Sequence, residues 1–230
     1  MFTGIVREIG TVAKLERGSD MVHFEIKCPA IRPVIGEGDS IAIDGCDLTA
    51  TVLTENGFRC DATRETLNVT TLGSLQIGSR INLEPSLTPS TPISGHFVLG
   101  HIDGVGTVRS LKRTGDQAEL VVAPPRDLLK FIARKGSITI AGVGLTVVNV
   151  TADSFSCWVI PYTLEHTTLG SIKPGDGVNL EVDVLARYIV HALESGVERK
   201  DTATDTKSSG TDKQDSGITE EFLREHGFGS

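Results

Sequence analysis

Short runs of alternating apolar and polar residues recur along most of this chain. Val22, Phe24, Ile26 and Cys28 alternate with His23, Glu25 and Lys27, and Phe58, Cys60 and Ala62 alternate with Arg59 and Asp61. Val178, Leu180, Val182 and Val184 do the same with Asn179, Glu181 and Asp183. A period of two sends neighbouring side chains to opposite faces of a strand, one toward a core and one toward solvent. Turn residues such as Glu55-Asn56-Gly57 separate the runs, which is the pattern of a closed barrel or a sandwich. Two stretches carry a helical period instead. Leu128, Leu129, Ile132 and Ala133 predict a short helix over 126–134, and Leu185, Tyr188, Ile189, Ala192 and Leu193 predict a second over 185–196, with Gly196 as its stop. From Val197 to Gly217 almost no apolar residue occurs, which predicts disorder, and 218–228 has the pattern of a short amphipathic helix.

The pattern repeats. At a constant offset of 97, Ser40 to Glu84 matches Ser137 to Glu181 with 20 of 45 positions identical and no gap. Unrelated segments of ordinary composition would share about three. Upstream the offset is 96, pairing Gly4 and Gly10-Thr11-Val12 with Gly100 and Gly106-Thr107-Val108. The expected fold is therefore all-β: two tandem homologous six-stranded Greek-key β-barrels, a C-terminal helix and a disordered tail. The expected boundaries are 1–97, 98–184, 185–196 and 197–230.

Composition narrows the partners. Lys plus Arg number 22 against 30 Asp plus Glu, for a net charge of −8, and no basic block or aromatic-rich stretch accompanies them. Nucleic-acid binders need cations for phosphates and faces for bases, so that class is set aside. The start of the chain has no basic segment followed by an apolar core, and no run of about 18 apolar residues occurs, so neither export nor membrane insertion is expected. The cysteines, Cys28, Cys46, Cys60 and Cys157, form no zinc or redox spacing and are expected as reduced thiols in the cytoplasm.

Chemistry is sparse. His96 and His101 stand five apart with no thiol or carboxylate at ligand spacing, so no metal is expected. No phosphate loop, dinucleotide fingerprint or nucleophile elbow occurs. Thr70, Thr71, Thr167 and Thr168 suit caps of a helix or turn. Thr66 and Thr163, each directly after a strand, suit either a cap or a hydroxyl aimed at a barrel mouth. Composition and spacing stop at a duplicated β-barrel that binds a small molecule.

Motifs in order along the chain say more: Met1-Phe2-Thr3-Gly4-Ile5-Val6, Gly45-Cys46-Asp47-Leu48-Thr49, Glu65-Thr66-Leu67, Gly95-His96-Phe97-Val98-Leu99-Gly100-His101, Gly144-Leu145-Thr146 and Pro161-Tyr162-Thr163-Leu164. From Met1 to about Leu193 the chain resembles riboflavin synthase of the alpha-chain type. The resemblance implies a homotrimer and a dismutation of two 6,7-dimethyl-8-ribityllumazine molecules, with no cofactor. It also implies association with lumazine synthase. Each barrel would hold one lumazine. Ligand contacts carried over for the first barrel are Gly4, Ile5, Val6, Asp47, Leu48, Thr49, Asp61, Ala62, Thr63, Arg64, Glu65 and Thr66. For the second they are Gly100, His101, Ile102, Lys135, Gly144, Leu145, Thr146, Val159, Ile160, Pro161, Tyr162, Thr163 and Leu164. Phe2, Asp47, Thr66, His101 and Asp183 are the implied chemical set. Two positions depart from the family, which usually has Cys or Ser before Leu-Thr; here Asp47 and its repeat-equivalent Gly144 stand there. A non-catalytic lumazine or flavin carrier of the same fold is the alternative reading.

Overall fold

The computed structural model describes residues 1–201, with side chains through 196; residues 197–201, expected as disordered, continue the last helix, and the rest of the tail with the helix expected over 218–228 lies outside the described residues. The first repeat contains β1 (Glu8–Arg17), β2 (Met21–Lys27), β3 (Ser40–Ile43), β4 (Cys46–Thr49), β5 (Val52–Thr54), β6 (Gly57–Thr63) and β7 (Arg80–Pro85). The second contains β8 (Gly104–Thr114), β9 (Gln117–Ala123), β10 (Ser137–Ile140), β11 (Val143–Val150), β12 (Phe155–Val159) and β13 (Gly177–Val182). All ladders are antiparallel.

The second sheet closes as a barrel in the order β10-β11-β12-β9-β8-β13. The first follows the same course, β4-β3-β7-β1-β2-β6-β5, with β4 and β5 standing for the single strand β11. The split falls at Ala50-Thr51, where Ala50 turns back to Asp39 and Gly38 while Thr51 donates to Arg59 O. The second copy has a register shift at the matching place, between Val147 and Asn149. A bulge or break of this kind bends a strand around a barrel corner.

Both interiors are filled. Phe24, Ile26, Ile41, Phe58 and Leu83 pack in the first, and Leu120, Val122, Ile138, Phe155 and Leu180 in the second. Each such side chain contributes roughly 1.5–3 kcal/mol by leaving water. All four cysteines are buried and unpaired.

Two helical expectations change. The segment 126–134 is a 3-10 turn over Arg126–Phe131, closed by Leu128 N–H to Pro125 O and Ile132 N–H to Leu129 O. The α-helices sit instead at α1 (Arg64–Val69) and α2 (Pro161–His166), directly after β6 and β12. Thr63 caps α1 by accepting the Thr66 N–H, and Pro161 opens α2 with a pre-set φ. The last helix, α3 (Val184–Asp201), runs through Gly196. Gly196 is not among the glycines at positive φ, so it lacks the left-handed turn that ends helices, and its cost inside a helix is only about 1 kcal/mol. No helix among the described residues is long and apolar enough to cross a membrane.

Candidate functional site at the junction of the repeats

The two repeats meet through reciprocal contacts. The Asn82 side-chain amide donates to Ala141 O (2.8 Å), and its repeat-equivalent Asn179 donates to Asp44 O (2.9 Å). Their amide oxygens accept the Thr168 N–H (2.8 Å) and the Thr71 N–H (2.7 Å). Thr70 and Thr167 cap the adjoining 3-10 turns by accepting from Leu72 and Leu169, as their pattern suggested. Contacts that pair i with j and j with i describe an approximate two-fold relation inside one chain.

Buried carboxylates anchor two crossing segments to this junction. Glu84 on β7 accepts from the Thr3 N–H (2.7 Å), the Thr3 hydroxyl (2.7 Å) and the Gly4 N–H (3.0 Å). Glu181 on β13 accepts from the Leu99 N–H (2.6 Å) and the Gly100 N–H (3.0 Å). Burial pushes the Glu181 carboxyl up to about 7 against those donors, and burial likewise raises Glu84 against its hydrogen bonds. Phe2 and Val98 bridge the segments through hydrogen bonds in both directions.

From there each segment goes to the other half. Gly4 O accepts the Gly144 N–H (2.8 Å), and Gly100 O accepts the Asp47 N–H (3.0 Å). Val6 packs on the second barrel's core and Ile102 on the first's. The grouping expected from sequence is thus exchanged: Gly4 to Val6 belong with the second barrel, and Gly100 to Ile102 with the first. Both turning glycines lie at positive φ (78° and 82°), and both are hemmed in. A Cβ on Gly4 would lie 2.7 Å from Gly144 Cα, and one on Gly100 would lie 2.5 Å from Asp47 Cβ.

Two clusters result. Strand β4 lies beside β6, and just beyond it the Thr51 N–H donates to Arg59 O. Segments 47–49, 61–66 and 100–102 therefore converge on the first barrel. On the second, β11 pairs with β12 from Val147 opposite Cys157, and the Lys135 N–H donates to Val147 O. Segments 144–146 and 159–164, Lys135 and Gly4 to Val6 converge there. Cys46, Leu48, Cys60 and Ala62 face the packed interior, so Asp47, Thr49, Asp61 and Thr63 face outward. Both barrel interiors are filled by apolar side chains, so these polar side chains lie on the outer wall.

Individual residues sort accordingly. Phe2 has no exposed surface; it packs with Ala42 and Val98 and would sit 2.9 Å from a Cβ on Gly100, so its ring braces that turn. Asp47 is half-buried, and its carboxylate takes no hydrogen bond among the described residues. Neighbouring Cys46 does not substitute for it, because burial pushes that thiol up to about 12. Thr66 shares its hydroxyl with Thr63 (3.1 Å), whereas Thr163 has Ile160 in the matching place. Asp61 holds His23 at 2.7 Å on the outer face, and the Arg64 guanidinium donates to Ser19 O, drawing both toward the β2 side. Glu65 is exposed, as are Ile160, Pro161 and Tyr162; the Tyr162 ring stacks on His166 at 4.0 Å. Val159 and Leu164 are core, and Leu145 packs against it.

His101 is exposed and lines a cavity of about 320 Å³ with Asp103, Glu181, Arg187 and Tyr188. Asp183 accepts from the Leu185 N–H and starts α3. Among the described residues no three His, Cys, Asp or Glu side chains gather at metal-binding distance. Sequence reasoning missed Asn82, Glu84, Asn179 and Glu181 as organisers. Their signal was there: polar residues identical in both copies within strands, each flanked by apolar residues.

His96 accounts for Gly144. Its ring reaches Thr139 Oγ1 at 3.3 Å, and a Cβ on Gly144 would stand 3.2 Å from that ring. Burial lowers the His96 pKa against the opposing pull of Asp183.

A sequence profile described as "Lumazine binding domain" matches residues 3–86 and 99–183. The chain belongs to the riboflavin synthase family, built from two lumazine-binding domains. It is 40% identical over 193 residues to the riboflavin synthase of Brucella abortus (strain 2308), spanning 82% of this chain and 96% of that one. It is 34% identical over 228 residues to that of Bacillus subtilis (strain 168), spanning 99% and 100%. The crystal structure of LumP complexed with riboflavin is similar at TM-score 0.74 and 27% identity, covering 79% of this chain and 99% of that one. The family's two-domain match coincides with the two halves whose segments cross at Glu84 and Glu181.

Proposed function

We propose that the chain is a riboflavin synthase. It would dismutate two molecules of 6,7-dimethyl-8-ribityllumazine into riboflavin and 5-amino-6-ribitylaminouracil, one substrate giving a four-carbon unit to the other as in a transferase. The observation that carries this reading is the pair of like-built wall clusters. A reaction between two copies of one molecule calls for two copies of one pocket. Alignment of the pair would supply most of the rate, up to about 7–11 kcal/mol of barrier. In this reading Asp47 serves as the base toward the acidic methyl protons, and Thr49, Thr66, Thr146 and Thr163 serve ring or ribityl contacts.

Both clusters lie open on outer walls, so a second chain must roof them. Leu185, Tyr188, Ile189 and Leu193 of α3 are each more than half exposed, which supports a homotrimer held through that helix. Four unpaired buried thiols suit a cytoplasmic setting. Association with lumazine synthase belongs to the same reading.

A second reading, a lumazine or flavin carrier, is favoured by the likeness to LumP and by Asp47 and Gly144. One assay separates them. Purified protein mixed with the lumazine, without metal or nucleotide, should generate riboflavin absorbance. Saturable binding without riboflavin would establish the carrier, and no binding would remove both.

A further inference from the structure

We infer that Glu84 and Glu181 are crossed positioning residues, each barrel's buried glutamate setting the segment that completes the other barrel's ligand wall. The inference rests on the proposed function only for the identity of the ligand. Glu84 stands on β7 of the first barrel, yet Gly4, which it holds at 3.0 Å, receives the amide of Gly144 in the second. Glu181 stands on β13 of the second barrel, yet Gly100, held at 3.0 Å, receives the amide of Asp47 in the first. Both carboxylates are about 95% buried and spend both oxygens on adjacent backbone N–H groups. Two hydrogen bonds from adjacent N–H groups to one carboxyl fix the orientation of a peptide as well as its position.

The crossing gives the two sites a built-in dependence on each other's scaffold. A disturbance of β13 would be felt at Asp47, and one of β7 at Gly144. The clamps are also unequal. Glu84 gains the Thr3 hydroxyl at 2.7 Å, where the second copy has Leu99, whose side chain has nothing to donate. The segment serving the second barrel is therefore the more tightly held.

Glu→Gln tests this directly, because an amide offers one acceptor oxygen where the carboxylate offers two and turns its NH₂ toward the second N–H donor. Full-length wild type, Glu84→Gln, Glu181→Gln and Thr3→Val are compared by hydrogen-exchange mass spectrometry, with and without 6,7-dimethyl-8-ribityllumazine. Without ligand, Glu181→Gln should speed exchange around Asp47, and Glu84→Gln around Gly144. With ligand, Glu181→Gln should raise the concentration that half-protects segments 47–49 and 61–66 about tenfold or more, leaving 144–146 and 159–164 within about twofold. Glu84→Gln should do the reverse. Thr3→Val keeps the carboxylate and the fold, and should follow Glu84→Gln with a smaller shift, so it carries the test if Glu84→Gln does not fold. Effects confined to the variant's own barrel, or equal in both, would overturn the inference. Crossed ligand-free exchange with no ligand protection anywhere would uphold the clamps and remove the functional reading instead.

Discussion

At the scale of single residues, the chemistry turns on Asp47 and Gly144. The Asp47 carboxylate lies on the outer wall of β4, has no internal hydrogen bond among the described residues, and sits where Gly100 turns past it. As the proposed base, it should lose that role on Asp47→Asn, which keeps shape and one acceptor but removes basicity. Turnover should fall at least about tenfold while lumazine affinity stays within about threefold, since a group used mainly in the transition state acts on kcat. Undiminished turnover would release Asp47 from the chemistry. Gly144→Ser pushes a Cβ to 3.2 Å from the His96 ring, a contact the ring relieves only by moving a few tenths of an ångström. Overpacking of this mild kind should cost about 1 kcal/mol, or a few degrees in Tm, and His96→Ala in the same chain should cancel it. Additive losses in the double variant would refute the clash.

At the scale of elements, much was legible from alternation alone. The strands around Phe24, Phe58 and Leu180 fall where period two placed them, because a filled barrel interior selects one face of every strand. The helix expected over 126–134 does not form. The segment between Pro125 and Lys135, itself at positive φ, closes with i→i+3 bonds instead. The helices after β6 and β12 were hidden, since six residues carry too little periodicity to show. The exchange of Gly4–Val6 and Gly100–Ile102 was not legible at all; a bond from Gly144 to Gly4 joins positions that no local pattern connects. Within α3, Arg187 pairs with Asp103, whose other oxygen accepts the Val182 N–H at 2.8 Å. Ending the chain at Val184 removes that ion pair and the apolar face of Leu185, Tyr188 and Ile189, but no barrel strand. The truncated protein should keep its β-sheet circular dichroism and sediment as a monomer. A trimer surviving the truncation would show that the barrels themselves associate.

At the scale of the whole molecule, the junction concentrates buried carboxyls on the two-fold between the halves. Burial pushes Asp44 up to about 7, with only the Asn82 N–H at 2.8 Å opposing it, and Glu181 also reaches about 7. In the unfolded chain these groups titrate near 4. Between about pH 4 and 7 the folded state therefore holds protons that the unfolded state has released. The stability they contribute is complete below the unfolded values and is lost as pH rises through about 7, by a few kcal/mol at most. Melting should accordingly be highest on the acid side of neutrality and decline toward pH 8. Asp44 is the cleaner probe, because its repeat-equivalent is Ala141, at nearly the same backbone angle (φ 45° against 48°), so the turn itself does not require a carboxylate. Asp44→Asn keeps an oxygen for the Asn82 N–H and cannot ionise. Its Tm should match wild type below about pH 4 and exceed it at pH 8, with a visibly flatter profile between. Parallel profiles for the two proteins would mean that Asp44 stays ionised in the folded state across this range, and that the junction tolerates its charge through the backbone amides around it.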